Sequence, residues 1–189
     1  MMLFTEAFAE LHMLSESRSF SDNPSKIMPE RASVAIVQTL ARILSEQDND
    51  GSWGPRECAG TTAHSLLALL SIATLPYVQI LMPEIRCAVA RGRQALSLMW
   101  DRWADPHPLW TGDIAYDSAN LSEAYSLAAM KRPFMDPICG EKSKGAIEKQ
   151  TQKIIGFANF FSSLEHMSRE PLYMIKASVL EALFYRPAL

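Results

Sequence analysis

The residues best suited to chemistry in this 189-residue chain are Trp110, Asp113 and Tyr116, each three positions from the next. They lie in a loop that opens a helix, where side chains can be aimed into a cavity. Buried between two aromatics, the Asp113 carboxyl would ionise above its ordinary range and could act as a general acid. Two plainer readings stand beside that one: Asp113 caps the helix beginning at Asp117, or it faces solvent. His64, on a helix next to Leu66 and Leu67, is a second candidate, as a general base or a polar contact. The plainer reading there is a histidine of core or surface. Tyr125 is a further polar contact. Trp53 and Trp103 could wall an apolar cavity, although packing explains a tryptophan at either position. Glu123 and Glu181 sit among small apolar residues and are expected to tie helices together as buried carboxylates.

Composition narrows the classes open to these residues. Hydrophobic residues make up 48% and charged residues 21%, enough apolar material for a core and unlike a disordered chain. The length suits one domain. We assign residues 1–28 to an N-terminal helix and mobile loop, and residues 29–189 to one helical domain. The formal net charge is −3, and no Lys/Arg stripe exists to neutralise phosphates, so a nucleic-acid partner is not expected. Cys58, Cys87 and Cys139 are odd in number and form no Cys-x-x-Cys pair. Structural zinc and a disulfide framework are therefore not expected, and a reducing, cytoplasmic setting fits. The opening Met-Met-Leu-Phe-Thr-Glu6 lacks the basic region of a signal peptide. No run reaches the roughly 18 apolar residues of a membrane span, so no stable span is expected.

The elements that must position these side chains are helical. Val34, Val37, Leu40, Ala41 and Leu44 recur at helical spacing behind Pro29. Residues 61–75 predict a second helix, stopped by Pro76. A third starts near Pro83 and runs through Ile85, Val89 and Leu96 to Trp100, with Arg86, Arg91 and Arg93 on a solvated face. Residues 117–130 predict a fourth. Ile154, Phe157, Ala158, Phe161 and Leu164 align along a fifth, and Leu172, Ile175, Val179 and Leu183 along a sixth. Residues 19–29, 48–60, 101–112 and 132–145 read as loops, rich in Gly, Pro and Asp. Strand signals are weak, and no βαβ pattern or glycine-rich phosphate loop is present. The expected fold is all-α, built of antiparallel helical hairpins.

The most specific local pattern is Gln47-Asp-Asn-Asp-Gly51-Ser-Trp53-Gly54. Asp50-Gly51 offers a turn with positive φ at the glycine, and Trp53 can fold back as an amphipathic plug. The Gln47 amide can then bond the helix end or the indole edge. The spacing Gln-x3-Gly-x-Trp resembles the QW motif of terpene cyclases. With the following Thr61-Thr62-Ala63-His64-Ser65-Leu66-Leu67-Ala68-Leu69, it is similar to the QW loop and next helix of fungal class II diterpene cyclases. Leu109-Trp110 through Asp113, Tyr116, Ser118 and Leu121-Ser-Glu123-Ala-Tyr125-Ser-Leu127 resembles a second stretch of that family. Phe160-Phe-Ser-Ser-Leu164, Pro171 and Lys176-Ala-Ser178-Val-Leu-Glu181-Ala resemble the helix pair that closes its β domain.

The resemblance implies a partial α/α-barrel, here the C-terminal half of a β domain, and a lipophilic terpenoid ligand. The sequence departs from the family where chemistry is concerned. It contains no Asp-x-Asp-Asp, the motif that protonates substrate in class II cyclases. Asp48-Asn-Asp50 is a poor substitute, and the Asp-Asp-x-x-Asp metal motif of class I enzymes is missing as well. The expectation is therefore a cofactor-free, metal-free terpenoid cyclase, and in particular an intramolecular Diels–Alderase of the norbornene-forming kind that works by preorganisation. In that reading Trp110 and Tyr116 are cavity walls, and Asp113, His64 or Tyr125 is the polar contact. Two alternatives stay open: acid-initiated cyclisation or isomerisation using Asp113 or another carboxylate, and a non-catalytic remnant that binds a terpenoid or a partner. A half-barrel exposes an apolar face, so a homodimer or a rearranged bundle is expected.

Overall fold

A computed structural model describes residues 27–54, 58–106, 109–111, 114–116, 118–137, 141–164 and 171–184. The described residues form six α-helices: α1 Ile27–Ser45, α2 Ala59–Ile72, α3 Met82–Leu98, α4 Ala119–Lys131, α5 Glu141–Ser162 and α6 Leu172–Phe184. The all-α class expected from periodicity is what the chain adopts. Helix α1 starts two residues ahead of Pro29, which the first turn of a helix tolerates because its missing N–H has no intrahelical partner there. Pro76 ends α2 as expected, but Pro76–Leu81 then coils as a 3-10 segment leading straight into α3. Helix α5 takes in residues 141–145, which composition placed in a loop. The other departure is a small antiparallel hairpin, β1 Leu109–Thr111 with β2 Ile114–Tyr116. The proposed N-terminal helix and loop fall largely on residues outside those described.

Helix α2 is the centre of the molecule, with eleven of its fourteen residues buried. Two cross-links set its relation to α4. His64 meets Tyr125 near the start of both helices, and the Arg132 guanidinium donates to Ser71 Oγ at 3.1 Å near their ends. The same offset in sequence separates the partners at each end, so α2 and α4 run parallel. Helix α3 runs the other way beside α4: Arg86 pairs with Asp136 beyond the end of α4, while Arg93, further along α3, donates to Ala129 O. Two parallel helices with an antiparallel one against both is the hairpin arrangement anticipated from sequence. Helices α1, α5 and α6 pack along the other side, α6 lying between α1 and α5.

The arginines of α3 do more than face solvent. Arg86 pairs with Asp136 and lies over the Phe134 ring, 4.7 Å from its centroid. Arg91 donates to Asp48 O at 2.7 Å and Asn49 O at 3.2 Å, and Arg93 donates to Ala129 O and Arg132 O. Their charged ends cap backbone carbonyls of neighbouring elements, and their long stems carry them there. Lys176 of α6 pairs with Glu84 of α3 at 2.7 Å in a half-buried setting. Of the two carboxylates expected to tie helices from buried positions, Glu181 makes the tie, accepting from Gln38 Nε2 at 2.7 Å, but at an exposed contact and not a buried one. Glu123 instead is exposed, because its face of α4 turns away from α2.

The Gln47–Trp53 segment locks three of these helices together. Gly51 has φ +94 and Gly54 φ +80, so the positive-φ turn forms where the sequence places it. Asp50 accepts from Ser52 N at 2.9 Å and from Ser52 Oγ at 2.7 Å, closing the loop on itself. Trp53 is only 2% exposed, and its indole N–H donates to Ile43 O at 2.7 Å. Ile43 lies in the last turn of α1, where carbonyls have no intrahelical donor. The Gln47 amide reaches neither the helix end nor the indole; it donates to Gly51 O and to Ala88 O of α3, each at 2.9 Å. On the other side, Trp53 N donates to Thr62 Oγ1 of α2 at 3.1 Å. Gly92 of α3 leaves room for the ring: a methyl built there would sit 2.5 Å from Trp53 Cζ3.

No single helix among the described residues is long and apolar enough to cross a membrane. One bent pair, α2 with the 3-10 segment and α3, passes by length and composition, but turns through 117° at the break.

Two stability predictions follow from the lock. Trp53→Phe keeps most of the ring volume but strands the Ile43 carbonyl, and is expected to cost about 1–3 kcal/mol, read as a lower urea midpoint at unchanged slope. Gly92→Ala forces the indole aside and is expected to cost about 1–3 kcal/mol in wild type. Placed in a Trp53→Leu background, the same alanine should cost less, a coupling that a double-mutant cycle measures directly. The remaining cost comes from Leu66 Cδ2, 2.8 Å from the added methyl.

Candidate functional site

Of the side chains singled out as candidates for chemistry, the described residues bring two together. His64 in the second turn of α2 and Tyr125 in the second turn of α4 meet edge to face, ring centroids 4.7 Å apart at 71°. The contact follows from the parallel packing of α2 and α4, which sets equivalent turns of the two helices at one level. Close approach is allowed by small residues on α4: Ser122, Ser126 and Ala129 are buried, one helical turn apart. Both rings are half-buried, so each keeps part of its edge accessible beside the helix pair. A phenol so placed can donate one hydrogen bond to a ligand carbonyl.

Ser126 is a group that sequence reasoning passed over. Its Oγ is fully buried and has no hydrogen-bond partner among the described residues. It is the residue after Tyr125, and the spacing of Ser122, Ser126 and Ala129 was readable as a small-residue face. That spacing signals close helix packing, not chemistry, and so gave no reason to single out the hydroxyl.

The two described tryptophan candidates serve helix ends. The Trp103 indole N–H donates to Leu96 O at 2.9 Å, in the last turn of α3, as Trp53 does for α1. Trp103 is half-buried against the core and Trp53 is enclosed. Trp110 and Tyr116 lie on the two strands of the hairpin, in different cross-strand pairs: Trp110 opposite Ala115, and Tyr116 opposite Leu109. Their side chains, and Asp113 altogether, lie outside what is described. One reading of Asp113, the cap of α4, passes to Ser118, whose hydroxyl accepts from Leu121 N at 3.5 Å. Helix α4 accordingly begins at Ala119 and not at Asp117.

A groove of about 320 Å³ runs between α1 and α6, lined by Val37, Gln38, Ala41, Arg42, Met174 and Glu181 among others. Among the described residues, His64, Tyr125, Trp53 and Trp103 do not line it. Burial raises the phenol of Tyr77 far above its ordinary range, partly offset by a hydrogen bond with Ser33, so this hydroxyl stays protonated. Among the described residues no three His, Cys, Asp or Glu side chains gather where they could hold a metal ion.

No family model and no solved structure matches the chain. Several curated proteins do. A pimaradiene synthase of Emericella nidulans is 31% identical over 190 residues, covering 100% of this chain and 19% of the relative. An ent-kaur-16-ene synthase of Phaeosphaeria sp. is 29% identical over 196 residues, again 100% of this chain and 19% of the relative. A copalyl diphosphate synthase of Talaromyces verruculosus is 33% identical over 136 residues, 69% of this chain and 14% of the relative. Along its whole length the chain is thus similar to a segment of fungal diterpene cyclases, and it spans 19% of the length of the first two of these relatives.

Proposed function

We propose that this chain belongs to fungal diterpenoid metabolism as a cofactor-free cyclase that closes a ring in a lipophilic intermediate by an intramolecular Diels–Alder reaction. The observation that carries the proposal is the whole-chain similarity to synthases named for diterpene products, in a sequence with no Asp-x-Asp-Asp. Protonation-initiated cyclisation asks for a strong, buried acid. A 4+2 closure does not: three π bonds become one π and two σ bonds, and no proton or electron leaves the substrate. What it asks of the protein is a folded conformer with diene and dienophile in contact, which can contribute several kcal/mol, on the order of the 7–11 available to well-oriented reactants.

A hydrogen bond to a carbonyl on the dienophile would lower the barrier further, because charge builds on that oxygen in the transition state. The His64–Tyr125 pair supports this part of the reading, since it sets a phenol, with its O–H donor, against the imidazole on the α2–α4 face. Trp110, Tyr116 and Asp113 complete the proposed cavity from the hairpin and its connection; Trp53 and Trp103 hold helix ends.

The test is to incubate purified protein with a diterpenoid carrying a diene and an unsaturated aldehyde. Faster closure than in buffer, with one regioisomer dominant, is the expected result; a rate and product ratio equal to buffer would remove the proposal. Tyr125→Phe is expected to slow closure by roughly tenfold, the effect of one hydrogen bond at the transition state, at unchanged fold by circular dichroism. Run in deuterated water, the reaction should leave no deuterium on product carbon. Deuterium there would mark instead an acid-initiated cyclisation, with Asp113 the first residue to replace.

A further inference from the structure

Helix α5 carries two apolar faces, and the bundle covers one of them. Ile154 and Ala158 are buried against α6 and the 3-10 segment Pro76–Leu81. Phe157, Phe160 and Phe161, which periodicity places partly on that same core face, are instead 56%, 59% and 36% exposed. Leu164 and Leu172 of the neighbouring helix α6 are exposed too. The reason lies in the position of α5: it is an edge helix, and the side turned away from α6 has no element against it among the described residues. A helix apolar on both sides is normally enclosed, and an apolar patch of this kind marks an interaction surface.

We infer that this face of α5 is the contact through which two copies of the chain pair, α5 against α5 in antiparallel order. The area fits. The three phenylalanines together expose about one and a half side chains' worth of surface, roughly 300 Å² at about 200 Å² each, and the two leucines add to it. A standard interface takes about 800 Å² from each partner, a little over half of it apolar. The patch is therefore the size of the apolar core of one such half-interface.

The charge pattern fits as well, and it sets the orientation. Ile154 to Leu164 contains no charged residue, so a two-fold axis near Phe160 buries none. Lys149 and Lys153 continue the same stripe toward the N-terminal end of the helix and are exposed. Antiparallel pairing holds the two copies' Lys153 side chains about 20 Å apart along the axis, well beyond a Debye length of about 8 Å. Parallel pairing would stack them. Gly156 supports a helix as the occupant: it lies mid-helix on the exposed side, and among the described residues nothing beyond its own helix backbone comes within 4 Å of where its Cβ would be. A glycine there weakens α5 without an intramolecular reason; an approaching partner helix supplies one. The inference is independent of the reaction proposed above.

Sedimentation velocity on the full chain over a range of concentrations tests it. Wild type should show a monomer–dimer equilibrium in the micromolar range, as expected of a small interface. Phe157→Glu with Phe160→Glu should weaken it by roughly 100-fold or more, since two-fold symmetry counts each change twice. Circular dichroism should show the helical content unchanged. Leu98→Glu with Trp100→Glu, at the other strongly exposed apolar site, should leave the dimer as it was. A wild type that stays monomeric at every concentration overturns the inference. So does a dimer that survives the α5 substitutions or is lost with the Leu98 and Trp100 pair. Binding of monomer to anionic lipid vesicles through the same phenylalanines would assign the face to a membrane surface, and would overturn it equally.

Discussion

The hydrogen bond from the Trp53 indole to the Ile43 carbonyl shows the constraint under which this molecule is built. A bundle of short helices has many helix ends relative to its volume, and each end leaves carbonyls without an intrahelical donor. Where an end is buried, water cannot supply that donor, so a side chain from elsewhere must. Two helix ends, those of α1 and α4, meet the need in this way. At the end of α3 the side chain adds to the bond that Leu96 O already accepts from Met99 N. Trp53 donates to Ile43 at the end of α1, Trp103 to Leu96 at the end of α3, and Arg93 to Ala129 at the end of α4. In each case the carbonyl belongs to the third residue from the helix end. The donor also brings its own segment into place, so satisfying the helix ends and docking the elements are one event.

The loop between α1 and α2 shows how tightly that event is specified. Gly51 takes a positive φ and lies so close to α3 that a methyl on it would meet Arg91 O at 2.6 Å. Gly92 on α3 makes the matching space for the Trp53 ring. Gln47 and Arg91 then close the contact from both sides, each with hydrogen bonds to backbone carbonyls of the other element. The placement of α1, α2 and α3 around the loop follows from this lock.

The meeting of His64 and Tyr125 rests on the packing of α4 against α2, where Ser122, Ser126 and Ala129 are small enough to let the two helices approach. The hairpin is a short ribbon whose register is set by backbone pairing alone. The similarity to diterpene cyclases speaks to the scaffold, and the chemistry rests on the residues of this chain.

The sequence by itself determined the elements and their local chemistry. Apolar spacing marked six helices, Pro76 marked the end of α2, and Asp50-Gly51 marked a positive-φ turn, because each depends on residues a few positions apart. The amphipathic character of Trp53, with an apolar ring and one N–H, was legible for the same reason. Which carbonyl takes that N–H was not. Nor was the reach of Arg91 and Arg93 into neighbouring backbone, since a long charged stem looks the same on a solvated face. Periodicity showed that α5 is apolar at Ile154, Phe157, Ala158 and Phe161, but a helix with apolar residues on two sides does not say which side the core will take. The hairpin escaped notice because its strands are three residues long, too short for alternation to register. Only the tertiary structure decided these points, because each turns on which elements meet, as in the parallel packing of α2 and α4. That packing is a choice among whole-chain arrangements, and it joins residues sixty-one positions apart that no local pattern connects.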